Sequence, residues 1–464
     1  MKTNQLIYLL VIWVFPIALQ SQNIGIGTMA PPQRLSINGK LHIGDDATAP
    51  TEGTIRYNTM TRDFEGWTGS EWKSLTFNQS DISTAFTDPN ATTFSYIGYA
   101  TDMSTSLAVA GSLYNNKVEV FSVNNGCWGW QYSISNSGTP GSTVSSQFGA
   151  EVKLLGSYQS EVLAVGEPGN ANYGNGAGIV GVYRLDDQGA TYQYHIAPPD
   201  IAAGDAFGRS IGGGSVHMAI GSPYDDDLFT NSGSVYFYRD NVTGAALRQK
   251  ITSPNAEANG NFGYKVYYNG GYDMFIYARG EGGYTLNGLV YHYLYAPLTQ
   301  TWSLNQIIGN PEPGNNRYFG SSLDFEGDYM MLSTAQTSTG NYDGTVLFYE
   351  RNPTTEQWDY TQKLTIPYNS DNDNFGTGIV VDSERMVASA PGYDAKGKNT
   401  GALFVFERNG STWTQTKMLT VADSHPNAYI GRSLSTYSFW YNSLIVGSTS
   451  FNNNTGTVHF LKVK

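Results

Sequence analysis

Cysteine is almost absent: Cys127 is the one thiol in 464 residues. A single thiol forms no intrachain disulfide, so stability must come from burial and backbone pairing. Cys127 adjoins Trp128, which points to a buried, structural thiol. The six histidines are scattered and have no cysteine pairs beside them, so a zinc-binding spacing is missing. Charge is also scarce, at 14% against roughly 25% in an average domain. That disfavours coiled coils and helix bundles. Lys and Arg number 26 against 39 Asp and Glu, a net charge of −13, which excludes a nucleic acid as partner because that needs a basic face. Long apolar runs are missing after the first 20 or so residues. Leu6 to Leu19 follows Lys2 and contains Pro16. It is shorter than the ~20 residues of a membrane span and reads as a secretory signal over residues 1–21. The expectation is an exported chain, secreted or at the cell surface, with no membrane-spanning segment once processed.

Glycine (53 residues) and aromatics (14%, with 33 Tyr) are abundant instead. That composition describes a β-rich, turn-rich protein and argues against disorder. The length exceeds what one core supports, so a repeat is expected. Phe-Gly recurs at Phe148, Phe207, Phe262, Phe319 and Phe375, with weaker copies at Phe94-Ser95 and Ile430-Gly431, a mean spacing of 56 residues. A period of this size marks a propeller or solenoid. Each period holds four pieces. The Phe-Gly segment comes first, and a short apolar run such as LAVGEP at Leu163 or MVASAP at Met386 follows. Third is Gly-x-Val/Leu-x-x-aromatic, starting at Gly178, Gly233, Gly288, Gly344, Gly401 and Gly456, with Asn116 in that place in the first copy. Asn and Gly share tolerance of positive φ, so a left-handed turn is expected at all seven. The fourth piece often opens on Trp, as at Trp302, Trp358 and Trp413. All four have the strand pattern. In GSVYFY, Val235 and Phe237 alternate with Tyr236 and Tyr238, a strand apolar on both faces. The expected fold is all-β: a seven-bladed β-propeller of four-stranded blades, with repeats starting near 94, 148, 207, 262, 319, 375 and 430.

Phe375-Gly376, Ser389-Ala390-Pro391, Gly401 to Phe406 and Trp413 to Leu419 resemble the FG-GAP repeat family in its bacterial variant, whose best-known relatives are the propellers of integrin α chains. The resemblance covers about residues 90–464 and implies adhesion, scaffold and binding roles alike. Integrin-type repeats often carry an alternating Asp-rich calcium loop between their first two strands. Here that loop reads DFEGDY at Asp324 or VVDSER at Val380 and lacks the alternation. No metal and no cofactor are expected. Asp225-Asp226-Asp227 reads as a solvated loop.

The seventh repeat stops after its third strand. An open blade exposes unpaired backbone, so residues 72–83 are expected to supply the missing strand, making 72–464 the propeller. Residues 22–71 form a separate small β-rich module with a hairpin signal at Asn38-Gly39. They resemble the short leaders of bacterial secreted and fibre-like proteins, through which oligomerisation is possible.

No nucleophile elbow, zinc-protease or phosphate-loop motif is present, so catalysis is not expected. Mid-strand His292 and His459 fit packing. The suggestive feature is an aromatic in each loop between second and third strands: Tyr114, Tyr173, Tyr224, Tyr284, Tyr342, Tyr393 and Phe451. Asp225, Asp343 and Asp394 directly follow three of them. Such pairs offer a stacking plane and an acceptor together, and Tyr and Asn dominate adaptable binding loops. The same residues also fit Asx turns with tyrosines packed on the neighbouring blade. The expected function is a binding or adhesion propeller taking a protein or glycan through its loop face. The alternatives are a hydrolytic, carbohydrate-processing propeller or a purely structural surface component.

Overall fold

The computed structural model describes residues 50–464, except 51–53, 59–62, 68–71, 75–83, 88–93, 125–126, 158–159, 215–216, 242–243, 283–286, 313–317, 335–342, 368–371, 422–423, 437–442, 451–453 and 464. The chain divides into two compact units, 1–48 and 49–464. The first, which includes the segment 1–21 expected to be a secretory signal and Asn38-Gly39, lies outside the described residues.

The second unit holds one three-stranded sheet (Ile55–Asn58, Asp63–Trp67, Trp72–Ser74) and seven four-stranded ones. Each four-stranded sheet is an antiparallel meander and forms one blade of a propeller. Blade 1 runs from Ile97 to Ser135, blade 2 from Glu151 to Ile196, blade 3 from Ser210 to Thr252 and blade 4 from Phe262 to Ile308. Blade 5 covers Leu323 to Leu364, blade 6 Ile379 to Leu419, and blade 7 begins at Ser433. Seven apolar clusters fill the spaces between neighbouring blades, one at each junction. Third strands therefore serve two cores at once. Val235 and Phe237 face blade 4, while Tyr236 and Tyr238 face blade 2, and all four are buried. His292 and His459 are fully buried in third strands, and burial pulls the His459 pKa down to about 4.

The ring closes through Thr84–Phe86, which pairs with the last strand as Val458↔Phe86, His459↔Ala85 and Phe460↔Thr84. This corrects the expectation of residues 72–83. Trp72–Ser74 instead pairs with Asp63–Trp67, so the three-stranded sheet reaches residue 74. Phe86 supplies the aromatic contact the junction needs, meeting Phe121 edge-on at 5.1 Å and stacking on Trp130 at 6.0 Å. A second correction concerns the first repeat. Its counterpart of Phe-Gly is Ile97-Gly98, not Phe94-Ser95. Ile97 is fully buried and bridges Gly456 as Phe207 bridges Gly178, whereas Phe94 is exposed. Cys127 is a third: it opens an outermost strand and is exposed, while Trp128 stacks on Phe460 at 5.1 Å.

Two backbone contacts join the blades. The first explains the turn residues. Asn116, Gly178, Gly233, Gly288, Gly344, Gly401 and Gly456 all have positive φ, from 49° to 86°. The next repeat's Phe-Gly backbone runs directly against them. The Phe375 amide donates to the Asp343 carbonyl at 2.9 Å, and a Cβ on Gly344 would lie 2.2 Å from the Phe375 oxygen. In the first copy Asn116 keeps its side chain because its Oδ1 accepts from the Phe148 amide at 3.1 Å. The second contact lies on the outer strands. Gln249, Gln306 and Gln362 each clasp the backbone of the next blade's tryptophan. Gln306 accepts from the Trp358 amide at 2.7 Å and donates to its carbonyl at 3.0 Å. Gln249 with Trp302 and Gln362 with Trp413 repeat the pattern.

Gly344→Ala should therefore cost about 3 kcal/mol or more, the left-handed penalty plus the overlap with blade 6. Gly410→Ala, also at positive φ but facing open space, should cost only ~1 kcal/mol. Equal losses in urea denaturation would remove the close approach as the cause. Gln306→Ala strips the Trp358 N–H and C=O of their partner. It should lower stability by about 1–3 kcal/mol, while Gln193→Ala, on an exposed side chain, should leave it unchanged.

Candidate functional site: the Phe-Gly face and its channel

Antiparallel meanders place the loops between second and third strands, and those from fourth to next first strands, at the same end of every blade. That end carries the Phe-Gly pairs and is the candidate face. Among the described residues it bears six exposed large apolar side chains: Phe94, Tyr114, Val144, Tyr173, Leu228 and Phe229. Three aromatics form a chain across it, Phe94 on Tyr96 at 6.2 Å and Tyr96 on Tyr114 at 5.2 Å. Both Phe94 and Tyr96 are held at positive φ, uncommon for bulky residues. Tyr173 donates to or accepts from His195 Nε2 at 3.0 Å, and Tyr192 holds His195 Nδ1 at 3.0 Å.

The other proposed contacts divide. Tyr284, Tyr342 and Phe451 lie outside the described residues. Tyr224 is half-buried. Tyr393 is 7% exposed, packs edge-on against Phe404 at 5.2 Å and donates to the Pro367 carbonyl. Asp225 is buried too. It accepts from the Tyr236 hydroxyl at 2.7 Å and from Lys250 at 2.9 Å, and Lys250 also meets Asp200 at 2.7 Å and Asp227. The acidic loop thus carries its own cation. Asp343 is half-buried beside the turn. Asp394 is exposed and shapes its loop by accepting the Asn399 amide at 2.7 Å. Tyr224-Asp225 and Tyr393-Asp394 are not equivalent pairs. Gly233 donates to the Asp225 carbonyl and Gly401 to that of Tyr393, so Asp225 and Tyr393 hold the same place. Val144, Leu228 and Phe229 were not singled out in the sequence, since nothing in the repeat marks them.

First strands of all seven blades line a central cavity of about 650 Å³. The residue after each Phe-Gly pair faces it, giving a ring of Tyr99, Ala150, Arg209, Tyr264, Ser321, Thr377 and Arg432. Deeper in, Lys265 of blade 4 reaches Glu151 of blade 2 at 2.7 Å, and Lys153 meets Asp102 at 3.2 Å. Blade 3 leaves room for that reach because its first strand is Ser-Ile-Gly-Gly-Gly. Among the described residues no group of three or more His, Cys, Asp or Glu is placed to hold a metal ion.

A family model described as the FG-GAP repeat matches residues 190–238 and 358–406. Each match begins in the fourth strand of one blade and ends in the third strand of the next, the order seen all round the ring. The chain carries FG-GAP repeats and folds as a seven-bladed β-propeller. No curated protein matches it. Among solved structures it is similar to one titled "Structure of U3-55K", with a TM-score of 0.53 at 8% identity, covering 82% of this chain and 98% of that one. It is also similar to "Streptogramin B lyase structure", with a TM-score of 0.50 at 10% identity, covering 83% and 99%. At such identities the likeness concerns the fold alone.

The Phe-Gly face also buries a carboxyl group. Glu281, in the loop after the second strand of blade 4, is fully buried and accepts from Ser253 at 2.9 Å and from Tyr291. Burial raises its pKa from 4.5 to about 7, against the lowering effect of those two hydroxyls. Between these values the folded chain keeps a proton that the unfolded chain has released. Stability is therefore complete below pH ~4.5 and falls as pH rises toward 7, by on the order of 3 kcal/mol. Glu281→Gln should flatten that decline in melting curves taken from pH 4.5 to 7.5. A decline that persists unchanged would assign it to another group.

Proposed function

We propose that this FG-GAP propeller is a secreted or surface-exposed binding and adhesion module that takes a protein or glycan ligand on its Phe-Gly face. The fold itself suits a protein-binding propeller in general. The observation that carries the finer reading is the aromatic chain Phe94–Tyr96–Tyr114, exposed at Phe94 and Tyr114 and held partly by left-handed backbone on the face where the second-to-third-strand loops emerge. Exposed aromatics on a rigid support gain contact area at low entropic cost. Leu228 and Phe229 extend the apolar surface on blade 3. The short apolar run after Lys2 supports export.

A screen of residues 22–464 against glycans and surface proteins comes first. For a ligand so found, Tyr114→Ala and Phe229→Ala should each weaken binding by ~2 kcal/mol or more with an unchanged melting temperature. Tyr393→Ala should instead cost about 3 kcal/mol of folding stability. Normal binding by both exposed-residue variants would move the site off this face.

A further inference from the structure

The mouth of the channel concentrates positive charge in an acidic chain. Arg209 directly follows Phe207-Gly208 and Arg432 its counterpart Ile430-Gly431, and Arg279 follows the second strand of blade 4. Arg209 and Arg279 both donate to the Tyr264 hydroxyl, at 3.3 and 3.4 Å. Their guanidinium groups lie 5.2 and 5.0 Å from its ring centre. Arg432 lies 5.3 Å from the ring of Tyr99. Among the described residues none of the three arginines has a carboxylate at ion-pair distance, whereas Lys153 and Lys265 deeper in the channel each have one. The cavity lining carries five cationic side chains against three carboxylates, although the whole chain has a net charge of −13. The tyrosines register this field. Burial acts to raise Tyr99 and Tyr264, yet the arginine charges outweigh it and both fall below the ordinary tyrosine pKa. Tyr267, lower in the same channel, is pushed well up by burial.

We propose that this mouth is an oxoanion site, in which Arg209, Arg279 and Arg432 receive a carboxylate, sulfate or phosphate group. A guanidinium offers five N–H donors, and a tyrosine hydroxyl occupies few of them. Partly buried charge without a counter-charge is costly, and an entering anion supplies it. The Tyr99 and Tyr264 hydroxyls stand beside the arginines as further donors. The cavity volume admits a group of this kind with a sugar-sized body attached. The proposal rests on the channel alone and stands whether or not the outer loops bind a partner.

The test is calorimetric titration of the propeller with sodium phosphate, sodium sulfate and sodium glucuronate at low ionic strength. Arg209→Gln and Arg432→Gln are compared with Arg239→Gln, which removes an equal charge from an exposed third-strand position. At least one anion should bind the wild type. It should bind about tenfold more weakly to the two mouth variants and normally to Arg239→Gln. Preference for glucuronate assigns a carboxylate source, and preference for sulfate or phosphate an esterified one. Tyrosine absorbance should agree, with early ionisation in the free protein moving to higher pH when the anion saturates. Should Arg209→Gln fail to fold, the exposed Arg432 variant carries the comparison. No binding of any of the three anions, or equal weakening in Arg239→Gln, overturns the proposal.

Discussion

One backbone contact, repeated around the ring, sets the geometry of everything else. The amide opening each Phe-Gly pair reaches back to the turn of the preceding blade, so two backbones meet where no Cβ fits. That distance explains the glycine before every third strand but one, and the single asparagine that answers with its own side chain. It also fixes how near the first strands come to the axis, and hence the width of the channel. The glutamine clasps on the outer strands act at the opposite radius. Blades 3 to 6, tied at both inner and outer edges, leave their apolar faces no freedom but to interlock.

Much of this was legible in the sequence because close approach leaves a mark in composition. Gly or Asn at one place per period, Phe-Gly at another and a doubly apolar third strand are steric necessities, and they identified blade number and strand order. What was hidden lacked such a mark. Ile97 does the work of phenylalanine, while Phe94 nearby only looks the part. Thr84–Phe86 is too short to show alternation. In the loops, length varies from blade to blade, so equal rank hides unequal position. Tyr393 turns inward at the place that Asp225 holds in blade 3, whereas Tyr114 stays out. The ring of residues lining the channel follows from the Phe-Gly register, but only once the first strands are known to face the axis.

The two candidate surfaces differ in physical character. The loop face is apolar and aromatic, held up by turns whose carboxylates are already engaged, as Asp394 is with the Asn399 amide. The channel mouth is cationic and polar, and its charge is unanswered within the described residues. A ligand with an apolar body and an anionic end would meet both, since they open on one side of the propeller.

The strand that completes blade 7 comes from the far end of the chain and is tied by three residue pairs. Every other blade is sewn from contiguous chain, with hairpins whose loop-closure entropy is small. Six blades can therefore form in the order of synthesis, while the seventh must wait for two segments about 370 residues apart in sequence to find each other. The ring thus has a seam, and the joint is the place where its folding ends and its opening begins.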